Sequence, residues 1–269
     1  MTHRAKKSLG QHFLRSNSAI KAMVSAGKVE SGDTVLEIGP GEGVLTHALL
    51  ETGAKVIAVE FDQDLIPNLN ERFHDQIDSG QLRIIEADIM QFDVSNYKLQ
   101  ANNYKLVANI PYYITGAIFE KFLTEKNHPS CLVVLIQKEV ATRIVARDGK
   151  ESILSLSVKA FGVPKIITKV PASAFRPAPK VDSAVLLVEN ISNQHFKNSS
   201  AIAHFFDVLH AGFAHKRKLV IRNLEKVASL ETIASLFAKL GITEKARAED
   251  IPLEKWLLIA EKTAVHTLE

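Results

Sequence analysis

Thr34-Val35-Leu36-Glu37-Ile38-Gly39-Pro40-Gly41-Glu42-Gly43 reads as a strand, Thr34 to Ile38, running into a glycine-rich turn. A helical pattern from Val44 to Leu50 follows. Such a turn lets a ligand approach the backbone closely, because side chains would block it. The next apolar run, Lys55 to Val59, delivers Glu60 at its carboxyl end. An acid about 20 residues past the first glycine can accept hydrogen bonds from both ribose hydroxyls. Many strand–helix turns carry glycine for packing alone, so the turn acquires meaning only together with Glu60. The pair points to an adenosine-containing cofactor on an open α/β sheet.

Outward from this unit the pattern repeats. A third strand, Leu82 to Ile85, closes with Glu86-Ala87-Asp88-Ile89. Asp88 can accept from an adenine amine while Ile89 packs on the ring. A fourth strand, Leu106 to Ala108, ends in Asn109-Ile110-Pro111-Tyr112. Ligands of open α/β sheets sit past the carboxyl ends of the strands. There Asn109 offers an amide oxygen, Pro111 fixes the turn because it has no N–H and a locked φ, and Tyr112 offers a ring face for stacking. Acceptors beside a stacking plane suit a planar aromatic amine. Further strands are expected at Cys131–Ile136, Ile166–Val170 and Ser183–Val188. Helices are expected at 63–73, 115–125, 137–147 and 153–161, with a short one near Ile20 and Met23 capped by Ser18. Between the last two strands, Phe175-Arg176-Pro177-Ala178-Pro179 forms a stiff loop. Phe175 at its head is either a core plug or a second stacking surface opposite Tyr112.

Composition shifts at the polar stretch Asn190 to Gln194. Beyond it Ile202, Phe205, Phe206, Leu209 and Phe213 follow helical spacing. Ile233, Leu236, Phe237 and Leu240 repeat it up to Gly241, and Leu253, Trp256, Leu257 and Ala260 mark a last helix. The chain therefore divides into residues 1–190 and a small all-helical domain, 191–269. Net charge is only +3 over 269 residues, but it is uneven. Residues 1–29 carry Arg4, Lys6, Lys7, Arg15, Lys21 and Lys28 without an acid, and Lys216-Arg217-Lys218 with Arg222 forms a second cluster. Two basic patches suggest an anionic partner. The single cysteine, Cys131, lies in an apolar run, so neither a disulfide framework nor a Cys/His metal spacing is present. No signal-like stretch and no run of the ~20 apolar residues that span a bilayer is found. These features read as a reduced, cytoplasmic protein with no membrane partner and no metal.

Two cofactors suit the glycine turn and Glu60. A dinucleotide would set its pyrophosphate on the helix start, but the third glycine comes one residue early, at Gly43, and Glu42 would oppose the phosphates. S-adenosylmethionine has no phosphate, and Asn109 to Tyr112 has no evident use in hydride transfer. A nicotinamide dehydrogenase is accordingly the most distant alternative.

Taken together, the motifs resemble those of the ribosomal RNA adenine dimethyltransferases, and the matching segments span almost the whole chain. They are Gln11-His12-Phe13-Leu14, Glu37 to Gly41 with Gly43, Val59-Glu60, Ala87-Asp88, Asn109 to Tyr112, Phe175 to Ser183, and Phe213 to Lys218 with Asn223-Leu224. His12 stands where many members have Asn. The resemblance implies a class I methyltransferase fold, a Rossmann-like seven-stranded sheet with six parallel strands and the last antiparallel, plus the helical domain. It implies S-adenosylmethionine as cofactor, held by His12, Leu14, Gly39, Gly41, Glu60, Asp88 and Asn109, with S-adenosylhomocysteine as product. Asn109, Pro111 and Tyr112 would serve catalysis. Phe175, Lys216, Arg217 and Lys218 would contact substrate. That substrate would be two adjacent adenosines in a hairpin loop near the 3′ end of small-subunit (16S) rRNA, each dimethylated during small-subunit biogenesis, by a monomeric enzyme. A large-subunit enzyme of the macrolide-resistance type and an assembly factor whose methylation is secondary are the other readings. The Phe213 to Leu224 signature favours the small subunit.

Overall fold

The computed structural model describes residues 6, 10–146, 148–215 and 217–264. The seven expected strands all form, several of them longer than their apolar cores. They are β2 (Thr34–Ile38), β3 (Lys55–Glu60), β4 (Leu82–Glu86), β5 (Lys105–Asn109), β6 (Cys131–Gln137), β7 (Val163–Val170) and β9 (Ser183–Glu189). A separate two-stranded ribbon joins β1 (Phe13–Leu14) to β8 (Phe175–Arg176) in antiparallel register, Leu14 opposite Phe175. This ribbon has no signature in the sequence.

The main sheet runs β4-β3-β2-β5-β6-β9-β7. β2 to β6 are parallel. β9 lies between β6 and β7 and is antiparallel to both, so six strands point one way and β9 alone the other. β5 and β6 read as continuous apolar runs because they are buried at every interior position, as expected of central strands covered on both faces. The fold is a Rossmann-like α/β sheet with the strand directions that the resemblance implies. Its parallel strands end at Ile38, Glu60, Glu86, Asn109 and Gln137 along one edge.

The short N-terminal helix is Asn17–Ala26, and its cap is Ser16, not Ser18: the Ser16 hydroxyl accepts from the Ala19 N–H at 3.3 Å. Ser16 has the extended backbone that an N-cap needs, while Ser18 already lies within the first turn.

The chain separates into two units, residues 1–141 with 162–191 and residues 142–161 with 192–269. A single cut at residue 190 therefore misplaces 142–161. Those residues join the helical unit because Phe161 stacks on Phe196 and Phe206 (ring centroids 5.0 and 6.3 Å) and its carbonyl accepts from Ser192. The Glu151 N–H also donates to the Glu249 carbonyl at 2.8 Å. The helical unit contains Ile153–Lys159, Ser199–Phe213, Val220–Asn223, Leu230–Leu240 and Leu253–Thr263. Phe205, Leu209, Ile233, Phe237 and Trp256 form its buried centre. Leu230–Leu240 stops at Gly241 in the left-handed region, as the sequence indicates.

Candidate active site

Glu60, Asp88 and Asn109 stand at the carboxyl ends of β3, β4 and β5, and the glycine turn leaves the end of β2. A cavity of about 280 Å³ opens there. His12, Leu14, Gly39, Gly41, Glu60, Asp88, Asn109, Pro111 and Tyr112 all line it. The structure thus brings together every cofactor and catalytic candidate read from the sequence.

Gly39 has φ +65°, and a Cβ placed on it would meet nothing within 4 Å, so its backbone faces open space. Gly43 is different. A Cβ there would lie 2.5 Å from Phe73. The third glycine therefore permits close packing of its helix start against Phe73 and Leu69 of the next helix, while the first leaves room for a ligand. Glu42 pairs with Arg15 at 2.5 Å.

Glu60 is buried, and each of its oxygens accepts one backbone N–H, from Gly41 at 3.1 Å and from Asp62 at 2.8 Å. Burial pushes its carboxyl above the ordinary range, against the opposing pull of these N–H groups. A carboxylate oxygen has two lone pairs, so each retains capacity for one hydroxyl of a diol. Asp88 accepts from the Met90 N–H at 2.9 Å through Oδ1, leaving Oδ2 for a ligand.

Glu37 is the acid that the sequence reading passed over as a site residue. It lines the cavity, is 1% exposed, and neither of its oxygens has a fully formed hydrogen bond. Burial pushes its carboxyl up to about 8; the Thr46 hydroxyl and N–H oppose the shift and the neighbouring Glu60 adds to it. The signal was present in the sequence as a lone acid inside an apolar strand.

Gly10 to Leu14 line the cavity, and contacts hold this stretch from several sides. Lys6 Nζ and Gln11 Nε2 reach the two oxygens of the buried Asp62, each at 2.6 Å. His12 Nδ1 lies 2.8 Å from the Pro177 carbonyl. A carbonyl only accepts, so Nδ1 carries the hydrogen. Asn109 Nδ2 donates to the His12 carbonyl at 3.1 Å. Tyr112 is half-buried, its ring stacked near His12 with centroids 6.0 Å apart and planes at 24°. Its hydroxyl lies 2.7 Å from that of Ser183.

Phe175 does not line the cavity. It is 5% exposed and packs in the core cluster with Leu14 and Val185. Of its two readings the core plug is the one the structure shows, because pairing of β8 with β1 turns its side chain inward; its assignment to substrate is corrected accordingly. In the helical unit Arg217 and Lys218 are exposed, and Lys218, Arg222 and Lys226 rim a shallow hollow with His215. Lys216 lies outside the described residues. Asn223 Nδ2 donates to the carbonyls of Gly212 at 2.7 Å and His215 at 3.3 Å, fixing the chain on either side of Ala214. Among the described residues no group of three or more His, Cys, Asp or Glu is placed to hold a metal ion, and no helix is long and apolar enough to cross a membrane.

The family model described as ribosomal RNA adenine dimethylase matches residues 2–264. The ribosomal RNA small subunit methyltransferase A of Dehalococcoides mccartyi is 39% identical over 260 residues, covering 96% of this chain and 88% of that one. The protein of the same name from Acaryochloris marina is 36% identical over 266 residues, covering 96% and 97%. Among solved structures, a dimethyladenosine transferase from Plasmodium falciparum superposes with a TM-score of 0.76 at 25% identity, covering 94% of this chain and 98% of that one. The 23S rRNA methyltransferase ErmE shares the fold, with a TM-score of 0.71 at 22% identity over 94% and 99% of the two chains.

Proposed function

The chain belongs to the ribosomal RNA adenine dimethylase family and is an rRNA adenine dimethyltransferase; on that premise we propose that it uses S-adenosylmethionine to dimethylate two adjacent adenosines in a hairpin loop near the 3′ end of small-subunit rRNA. The observation that carries this reading is the bond from Asn109 Nδ2 to the His12 carbonyl, which commits the amide nitrogen to protein and leaves Oδ1 as an acceptor at the cavity. An exocyclic amine needs such an acceptor. Its lone pair is delocalised into the purine ring and must be drawn out before nitrogen can act as a nucleophile.

The cavity residues fit the proposed cofactor. Glu60 retains acceptor capacity for a ribose diol, Asp88 for an adenine amine, and Gly39 leaves open space beside its backbone. When bound, S-adenosylmethionine supplies an electrophilic sulfonium methyl group. The protein contributes position. Asn109 Oδ1 accepts one amine N–H, and a backbone carbonyl of the tetrapeptide accepts the other. The carbonyls of Ile110 and Pro111 are the candidates; that of Pro111 already takes the Ile114 N–H at 3.2 Å and keeps one lone pair. With both N–H groups held, the nitrogen pyramidalises and presents its lone pair. Positioning of this kind can supply roughly 7–11 kcal/mol in favourable cases. No strong base is required, because the nitrogen becomes acidic once alkylated and its proton can leave to water. After the first transfer one N–H remains, so one acceptor contact persists through the second.

Tyr112 offers the flipped base a stacking face, worth about 1–3 kcal/mol. The cations of the helical unit, with Lys216 among them, hold backbone phosphates and so bring affinity with little sequence information. The working context is an immature small subunit in the cytoplasm, engaged by a monomer.

Calorimetry with S-adenosylmethionine and with NAD tests the cofactor. Binding of the first alone, weakened about 10-fold or more in Glu60→Ala by loss of hydrogen bonds to a charged group, is expected. Binding of NAD alone would overturn the reading.

A further inference from the structure

We propose that Ser183 is a positioning residue for methyl transfer, holding the Tyr112 ring in the plane on which the target base stacks. This rests on the reading of Tyr112 as the base platform. The two hydroxyls lie 2.7 Å apart across 71 positions of sequence, and Ser183 is 0% exposed.

The topology explains why a serine from a distant strand is there. Parallel strands deliver their last residues to the ligand edge of the sheet. β9 runs the other way, so it delivers its first. Ser183 pairs with Gln137, the last residue of β6, and with Val170, the last of β7. The position is polar, while the residues after it, Ala184 to Val188, are all apolar. A hydroxyl at the head of an otherwise apolar buried strand needs a partner, and Tyr112 supplies it.

The loop that ends at Ser183 also braces the opposite wall. Phe175 and Arg176 pair with Leu14 and Phe13, and the Pro177 carbonyl accepts from His12 Nδ1 at 2.8 Å. His12 in turn stacks near Tyr112 and receives Asn109 through its carbonyl. A tyrosine ring has two soft torsions. The His12 contact limits one face, and the Ser183 bond fixes the far end of the ring. Without that bond the ring can tilt, and a base stacked on it is held less tightly.

The test compares Ser183→Ala, Tyr112→Phe, the double variant and Tyr112→Ala, by steady-state kinetics on undermethylated small subunits and by calorimetry with S-adenosylmethionine. Tyr112→Phe removes the same bond from the other side and keeps the ring, so it reports even where Ser183→Ala fails to fold. Ser183→Ala and Tyr112→Phe should each raise KM for the subunit about 5- to 20-fold, a range within the ~1–3 kcal/mol of base stacking, with cofactor affinity unchanged. The double variant should be no worse than either single, because all three remove the same bond. Wild-type KM in Tyr112→Phe and Ser183→Ala, with a raised KM in Tyr112→Ala, would overturn the role of Ser183 alone. Wild-type KM in Tyr112→Ala would overturn the platform reading on which it rests.

Discussion

The Asn109 side-chain nitrogen donates to the main-chain carbonyl of His12 at 3.1 Å. Residues 97 positions apart thereby fix the orientation of the amide at the cavity. Had the amide been reversed, two oxygens would face each other. On the proposed mechanism the segment around His12 helps to set the acceptor that the amine meets, and its anchors at Asp62 and Pro177 matter for the same reason.

Asn109→Ala should abolish methyl transfer, a loss of at least about 100-fold by analogy with removal of one preorganised polar group, while rRNA binding stays within a few-fold of wild type. Asn109→Asp should fare no better, since it sets a carboxylate oxygen against the His12 carbonyl. Single-turnover transfer alongside a filter-binding assay separates the two effects, and wild-type turnover in Asn109→Ala would remove the residue from the mechanism.

Glu37 should make stability fall as pH rises from about 4.5 to 8. Its carboxyl is held at about 8 by burial, while the unfolded chain titrates near 4.5. Between those values the unfolded state releases a proton that the native state keeps, so unfolding becomes easier. Below about pH 4.5 the contribution vanishes, and near pH 8 it reaches its full size, on the order of 3–5 kcal/mol. Glu37→Gln keeps the shape without the charge. Denaturant melts at pH 5 and pH 8 should show the variant gaining on wild type at the higher pH; parallel curves would contradict the assignment.

Reversal of Lys216, Arg217 and Lys218 to Glu should weaken binding of the subunit and leave cofactor affinity unaltered. The salt dependence should also flatten, by about one unit of slope for each phosphate that is no longer neutralised. An equal fall in cofactor affinity would mean that the cluster does not act through phosphates.

The strands of the sheet were legible because central parallel strands are buried on both faces and spell continuous apolar runs, as Leu106 to Ala108 and Cys131 to Ile136 do. Glu60 and Asn109 were legible because each ends such a run at the ligand edge, and Asp88 because it follows the apolar residues of the edge strand β4. What stayed hidden depends on pairings between distant segments. Phe175 reads equally as plug or platform until β8 is seen to pair with β1. Ser183 reads as a strand start until the antiparallel direction of β9 brings it to Tyr112. Residues 142–161 follow the sheet unit in sequence but share the aromatic cluster of the helical one. No local pattern encodes those choices, since each is made by the partner that buries the group.

The most direct test of the central claim is transfer of label from S-adenosylmethionine to two substrates, small subunits lacking the modification and large-subunit rRNA, followed by digestion to nucleosides. The account predicts labelled dimethyladenosine from the small subunit alone. Dimethyladenosine from large-subunit rRNA alone would contradict the proposed substrate, and label in neither would contradict the proposed reaction with this cofactor.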